Sequence, residues 1–314
     1  MWSIFVSTPL CYNVLILLTA KIRKDEVTMS PYIIMTDAAL NIDLSVIDRN
    51  DIHVIPMFVS VADREFSISL DTPREDIDAY YKLLVDHPAY TTQISLGIYE
   101  AYFEKFVEEG QDILYLSMSG ELSATFVQSK LAAEHVVKDH PGAKILCLDS
   151  KTCTSGGTHM AKRAIDNLKQ GMSIEENLRD LEAFRSKVTL YGYITSLDHL
   201  KRSGRLSGAQ ALFGSALNIR PILHINEKGE LILQHKVRGT KQAIKYIVDH
   251  INDEIDASET VCYINHGDDL NSAKKVKQQL LKKTPLEEIY IDTTSPIISA
   301  HIGQGAISAT FIAK

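Results

Sequence analysis

The feature that most constrains the fold is an alternation between Tyr32 and about Leu190: short apolar runs, each followed by a stretch with helical spacing. Tyr32–Thr36, His53–Val59, Asp112–Ser117 and Lys144–Asp149 read as strands, because a short apolar run bounded by turn residues suits a strand buried on both faces. Thr72-Pro-Arg-Glu75 has capping-box spacing with Pro at the first helical position, and opens a helix through Tyr80, Tyr81, Leu83 and Leu84. Ser95 caps a helix that stops at Gly110. Further helices are expected over Ser123–Asp139 and Gly156–Gln170, and Ser173 with Glu176 forms a second capping box. Strands separated by helices of this size indicate a parallel sheet covered on both faces.

From Tyr191 the character changes. Gly204, Gly208 and Gly214 break up a short region, and Ile222–Ile225 and Leu231–Lys236 flank a turn at Gly229 as a hairpin. A helix over Thr240–Ile255, a strand over Thr260–Asn265, a basic-faced helix over Asn271–Lys283, a strand over Ile289–Asp292 and a last strand over Ala306–Ala313 follow. The expected architecture is α/β: an N-terminal parallel-sheet α/β domain over 30–190 and a C-terminal α+β domain over 191–314. Residues Ile4–Ala20 are mostly apolar and precede Lys21, Arg23 and Lys24, which reverses the charge order of a signal peptide. Polar residues dilute the run below what a membrane span needs. Residues 1–28 are therefore expected to lie outside the fold, with translation starting at Met29.

The chain has 314 residues, 45% of them hydrophobic, and a formal net charge of -7. That apolar content is too high for disorder, and the acidic balance argues against a nucleic-acid partner. Cys11, Cys147, Cys153 and Cys262 form no CxxC pair, so neither a zinc site nor a disulfide framework is expected, and a reducing cytoplasm suits them.

Ligands of α/β sheets bind beyond the carboxyl ends of the strands. Those ends carry Thr36-Asp37, the segment Ser117 to Thr125 with Ser123, and Asp149-Ser150 before Gly156 and Gly157. Thr91-Thr92-Gln93-Ile94-Ser95 adds another hydroxyl cluster. Hydroxyls and a helix N-terminus together suit a carboxylate or phosphate without a positive charge, although each such residue also suits a cap or turn. GxxxxGK[ST], GxGxxG after the first strand, GxSxG and HExxH are all absent. His301, between the Pro296 turn and Gly303-Gln-Gly305, is expected in a loop, where it can donate to an anion.

These segments together resemble the DegV family, whose members include the fatty-acid-binding subunits of bacterial fatty acid kinase. Thr36-Asp37 resembles its opening signature. Thr91-Thr92-Gln93-Ile94-Ser95 resembles Thr-Ser-Gln-Pro-Ser, and Leu122-Ser123-Ala124-Thr125 resembles Leu-Ser-Gly-Thr. Leu200 to Leu206, Ile219 to Leu223, Lys236 to Gly239 and Ala300 to Ala306 match later blocks in order. The resemblance implies an apolar tunnel between the two domains that holds a long-chain fatty acid, with Thr91, Ser123 and His301 on its carboxylate and Thr92, Ala124 and Asp37 in support. It implies no cofactor or metal beyond that bound lipid. A separate ATP-dependent kinase subunit would phosphorylate the carboxylate to an acyl phosphate for phospholipid synthesis, so the chain would not be catalytic alone. Membrane contact would be transient at most.

Arg202 and Arg205, in a Gly-flanked block, either satisfy nearby carbonyls or contact the kinase or its phosphates. Ile94, Ala124, Ala38, Ala39, Ser203, Ile302 and Gln304 depart from the family pattern, which bears on loop geometry, chain-length preference and the kinase partner. The competing readings are a small-molecule enzyme in which Ser123, His301 and Asp37 carry out nucleophilic catalysis, a hydroxyketone-binding subunit using Ser123 and His301, and a structural or partner-binding protein.

Overall fold

A computed structural model describes residues 32–206 and 218–314. The expected extension over 1–28, the start at Met29, Cys11, Gly208 and Gly214 lie outside these residues. The apolar runs form β1 (Tyr32–Asp37), β2 (His53–Ile55), β6 (Asp112–Ser117) and β7 (Ile145–Asp149), an all-parallel sheet in the order β2-β1-β6-β7. Two helix pairs pack on it: α2 (Leu96–Glu108) with α3 (Thr125–Asp139), and α4 (Gly156–Lys169) with α5 (Ile174–Phe184). Ser173 and Glu176 cap α5 reciprocally: Ser173 Oγ accepts from the Glu176 amide at 3.3 Å, and Glu176 Oε2 accepts from the Ser173 amide at 2.9 Å.

The expected strand over His53–Val59 divides at Pro56. Pro has no N–H for a ladder, and here it separates strands of two different sheets. Beyond it, β3 (Met57–Val61) pairs antiparallel with β4 (Arg64–Ile68) and β5 (Ala89–Thr92) in a three-stranded sheet absent from the sequence reading. The capping box at Thr72 does not form either. The Thr72 hydroxyl accepts from the Ser69 amide at 2.7 Å and donates to the Ser67 carbonyl at 3.3 Å, so the turn leaving β4 has claimed it. Helix α1 (Arg74–Leu84) starts after Pro73, which takes the N-cap position without a side-chain bond.

Between α5 and β8 (Val188–Tyr193) the chain crosses to a six-stranded mixed sheet. Its other strands are β9 (Ile219–Ile225), β10 (Leu231–Arg238), β11 (Val261–His266), β12 (Glu288–Thr293) and β13 (Ile307–Ile312), ordered β10-β9-β8-β13-β11-β12. Strand residues alternate between two cores, as a period of two requires. Leu190, Leu223 and Ile225 join the core of the N-terminal half, while Tyr191, Tyr193 and Ile222 pack with α7 (Thr240–Glu254) and α8 (Leu270–Lys283). Helix α4 touches both sheets, meeting β1 and β6 on one and β8 and β13 on the other. Its first residues must be glycine: a Cβ on Gly157 would lie 2.5 Å from Leu40 Cβ, and one on Gly156 would lie 2.0 Å from Thr152 Oγ1.

Candidate functional site

Segments distant in sequence meet at a cavity of about 210 Å³. Thr91 and Thr92 reach it from the end of β5, where Thr91 pairs with Val59 of β3. Ser123 and Ala124 reach it from the loop between β6 and α3. The helix expected from Ser123 begins at Thr125, with Ala124 at the N-cap position. The Ser123 hydroxyl accepts from the Thr125 amide at 3.3 Å, and its proton remains available to a ligand. Ser95 likewise precedes α2 without a side-chain cap bond.

His301 does not lie in a loop but in the last turn of a short helix, α9 (Pro296–Ile302). Ser295 caps it, its Oγ accepting from the Ile297 amide at 3.3 Å, and Pro296 occupies the first turn. A cap residue followed by Pro is a helix-start signal, and reading it as a turn missed α9. The start of the helix is tied down from α1: Tyr81 donates to the Thr294 carbonyl at 2.8 Å and Tyr80 to the Pro296 carbonyl at 3.1 Å. At its other end, His301 Nε2 lies 3.1 Å from Thr91 Oγ1, a hydrogen bond whose direction follows the imidazole tautomer.

Met57, Met118, Leu122, Leu231, Ile297 and Ile298 supply apolar walls. Arg205 lines the same cavity, so the rim is not free of positive charge as the sequence suggested. Burial, then Arg205, Arg202 and His199, push the His301 imidazole down to about 4, so it is neutral at pH 7. An entering anion would be drawn by Arg205 and would reverse part of that shift. Cys153 also faces the cavity, but burial pushes its thiol up to about 12 and removes it as a nucleophile.

Asp37 stands apart from this group. Its Oδ2 accepts from the Tyr115 hydroxyl at 2.6 Å, its Oδ1 accepts from the Ala39 amide at 2.9 Å, and the Tyr99 hydroxyl lies 3.0 Å from that of Tyr115. The carboxyl is fully buried, which raises its pKa. It orients nothing toward His301, so a Ser–His–Asp array is not assembled. Arg202 is exposed, and its Nη2 donates to His199 Nδ1 at 2.9 Å within α6 (Asp198–Ser203). Arg205 donates to the Ser203 carbonyl. The apolar walls and the place of Arg205 were not legible, because residues from separate elements converge there without a shared motif. Among the described residues, no group of three or more His, Cys, Asp or Glu is placed to hold a metal, and no helix is long and apolar enough to cross a membrane.

Comparison with known proteins places this geometry in context. A family model described as uncharacterised proteins of the DegV family matches residues 32–314. A DegV domain-containing protein of Clostridium perfringens is 30% identical over 285 residues, covering 90% of this chain and 98% of its own. A DegV lipid binding protein of Thermotoga maritima is 25% identical with a TM-score of 0.78, covering 90% of this chain and 99% of its own. The fatty acid kinase B3 protein of Streptococcus pneumoniae, solved loaded with linoleic acid, shares the fold at 23% identity and a TM-score of 0.78, covering 90% of this chain and 99% of its own.

Proposed function

The chain belongs to the DegV family, and on that premise we propose that it binds a long-chain fatty acid by its carboxylate and presents it to a separate ATP-dependent kinase. The observation that carries this is the cavity that Thr91, Ser123, His301 and Arg205 line together with apolar side chains, with Thr91 and His301 in hydrogen-bond contact. That arrangement fits an amphiphile with one anionic end. The Thermotoga maritima and Streptococcus pneumoniae relatives support the lipid class and, for the second, the kinase.

The chemistry follows from the donors. Ser123, Thr91 and a neutral His301 hold the carboxylate by hydrogen bonds, and Arg205 draws it in. A carboxylate held this way keeps an oxygen lone pair for attack on the terminal phosphorus of ATP, forming the acyl phosphate while ADP leaves. Thr92 and Ala124 shape the wall beside the head group. Arg205, and Arg202 with it, sits where an approaching kinase or its phosphates could be met. Asp37 supports the site indirectly by fixing the end of β1.

The test is to extract the purified protein with organic solvent and analyse the extract by mass spectrometry, then to add linoleic acid, ATP and a fatty acid kinase subunit. The expected result is about one fatty acid per chain and acyl phosphate formed only when all components are present. A chain that carries no lipid and takes up no linoleic acid would refute the proposal.

A further inference from the structure

The two ends of α9 are held by different means. Tyr80, Tyr81 and Ser295 fasten the first turn to α1 and to its own cap. The last turn, which carries His301, ends at Gly303, whose amide donates to the Ser299 carbonyl at 2.8 Å. The last carbonyls of a helix have no partners within it. Against that end lies His199 of α6. Gly303 has φ 81°, and a Cβ there would come within 2.6 Å of His199 Cδ2 and 2.9 Å of His199 Nε2, so the imidazole fills the space that the glycine leaves open. The ring also faces the Ala300 carbonyl, immediately before His301. Its other nitrogen, Nδ1, is met by Arg202 Nη2 at 2.9 Å.

These contacts fix the imidazole chemically as well as sterically. Arginine donates and cannot accept, so Nδ1 is the acceptor and the proton sits on Nε2, toward the helix end. We infer that His199 is a positioning residue for the head-group site: held by Arg202 in the tautomer that donates at Nε2, it fastens the last turn of α9 and so sets where His301 meets the ligand carboxylate. Arg202 then acts first within its own helix. This inference rests on the reading of the Thr91–Ser123–His301 cavity as a carboxylate site.

The test compares linoleic acid with linoleyl alcohol, which keeps the chain and lacks the charge, by displacement of a fluorescent fatty acid from the full chain. His199→Phe keeps a ring against Gly303 and loses both polar contacts. His199→Gln keeps an acceptor for Arg202 and a donor for the helix end. The wild type is expected to bind the acid. His199→Phe should bind the acid about tenfold more weakly, the scale of a lost hydrogen bond, and the alcohol within about twofold of wild type. His199→Gln should recover most of the loss, and the lost contacts should lower the melting temperature of His199→Phe by only about 2–4 °C. Equal weakening of acid and alcohol would mean that His199 only shapes the pocket, and unchanged acid affinity in His199→Phe would mean that it positions nothing; either overturns the inference. Absence of acid binding by the wild type would instead overturn the carboxylate-site reading itself.

Discussion

Two polar clusters in this protein, one fully buried around Asp37 and one half-buried around His301, behave as opposites. Around Asp37, both carboxylate oxygens have internal donors, and Tyr115 is in turn met by Tyr99. Around His301, Thr91 makes one contact, and these side chains with Ser123 and Arg205 line a cavity. Resemblance alone puts Asp37 and His301 in one site. The difference teaches that a cluster satisfied within itself holds the fold, whereas one with spare donors facing open space is built for a ligand.

Acid should separate the clusters most strongly. Burial pushes His301, and outside both clusters His159 of α4, whose Nε2 lies 3.3 Å from the Thr310 carbonyl, down to about 4 from the ordinary 6.5. The unfolded chain therefore takes up these protons first, and stability present above pH 6.5 is lost as pH falls through about 4. For His159 the loss at pH 4 is about 3 kcal/mol. Asp37, with its raised pKa, works in the opposite sense: its contribution is full below the ordinary carboxyl pKa and is lost as pH rises through the raised one. Melting curves of the lipid-free protein should fall in temperature from pH 7 to pH 4, less steeply in His301→Gln and less steeply with linoleic acid bound. A flat profile would show that neither histidine is held neutral.

Tyr115→Phe takes a donor from the closed cluster. It should cost about 2–3 kcal/mol of stability, because a buried carboxyl loses its partner, while lipid affinity per folded molecule stays unchanged. Denaturant titration and lipid binding on the same preparation check this. A loss of affinity without a loss of stability would make Asp37 part of the ligand site after all.

Ser123→Ala takes a donor from the open cluster and should do the reverse. Fatty acid affinity should fall by about 2 kcal/mol, with lipid-free stability changed by less than about 0.5 kcal/mol. Calorimetric titration with linoleic acid, set beside thermal melting, would expose an error if stability fell as far as affinity.

The pattern of legibility follows the same physics. Buried parallel strands are marked by unbroken apolar runs, so β6 was readable residue by residue and β1 and β7 to within about one residue at an end. Glu65 and Ser67 of β4 and Tyr90 of β5 are exposed, and their short half-exposed alternation gave too weak a period to stand out. Ser173 with Glu176 formed its capping box, yet Thr72 with Glu75, at the same spacing, did not, because a neighbouring turn competed for the hydroxyl. Thr91, Ser123 and His301 were named through family motifs. Only the folded chain shows that His301 is helical, that Arg205 shares the cavity and that Asp37 faces elsewhere.

The position of β13 has a consequence for the order in which the protein is made. It lies between β8 and β11, so it is the strand that joins the two portions of the six-stranded sheet. Roughly a hundred residues separate it from β8, and a ribosome releases them in sequence at about 5–20 per second. Until β13 emerges, β8 presents an unpaired edge, the kind of surface on which nascent chains stick to one another. His301 emerges just before it. The proposed carboxylate site therefore cannot assemble until His301 and β13 have left the ribosome, and a nascent chain cannot load lipid there before that sheet is joined.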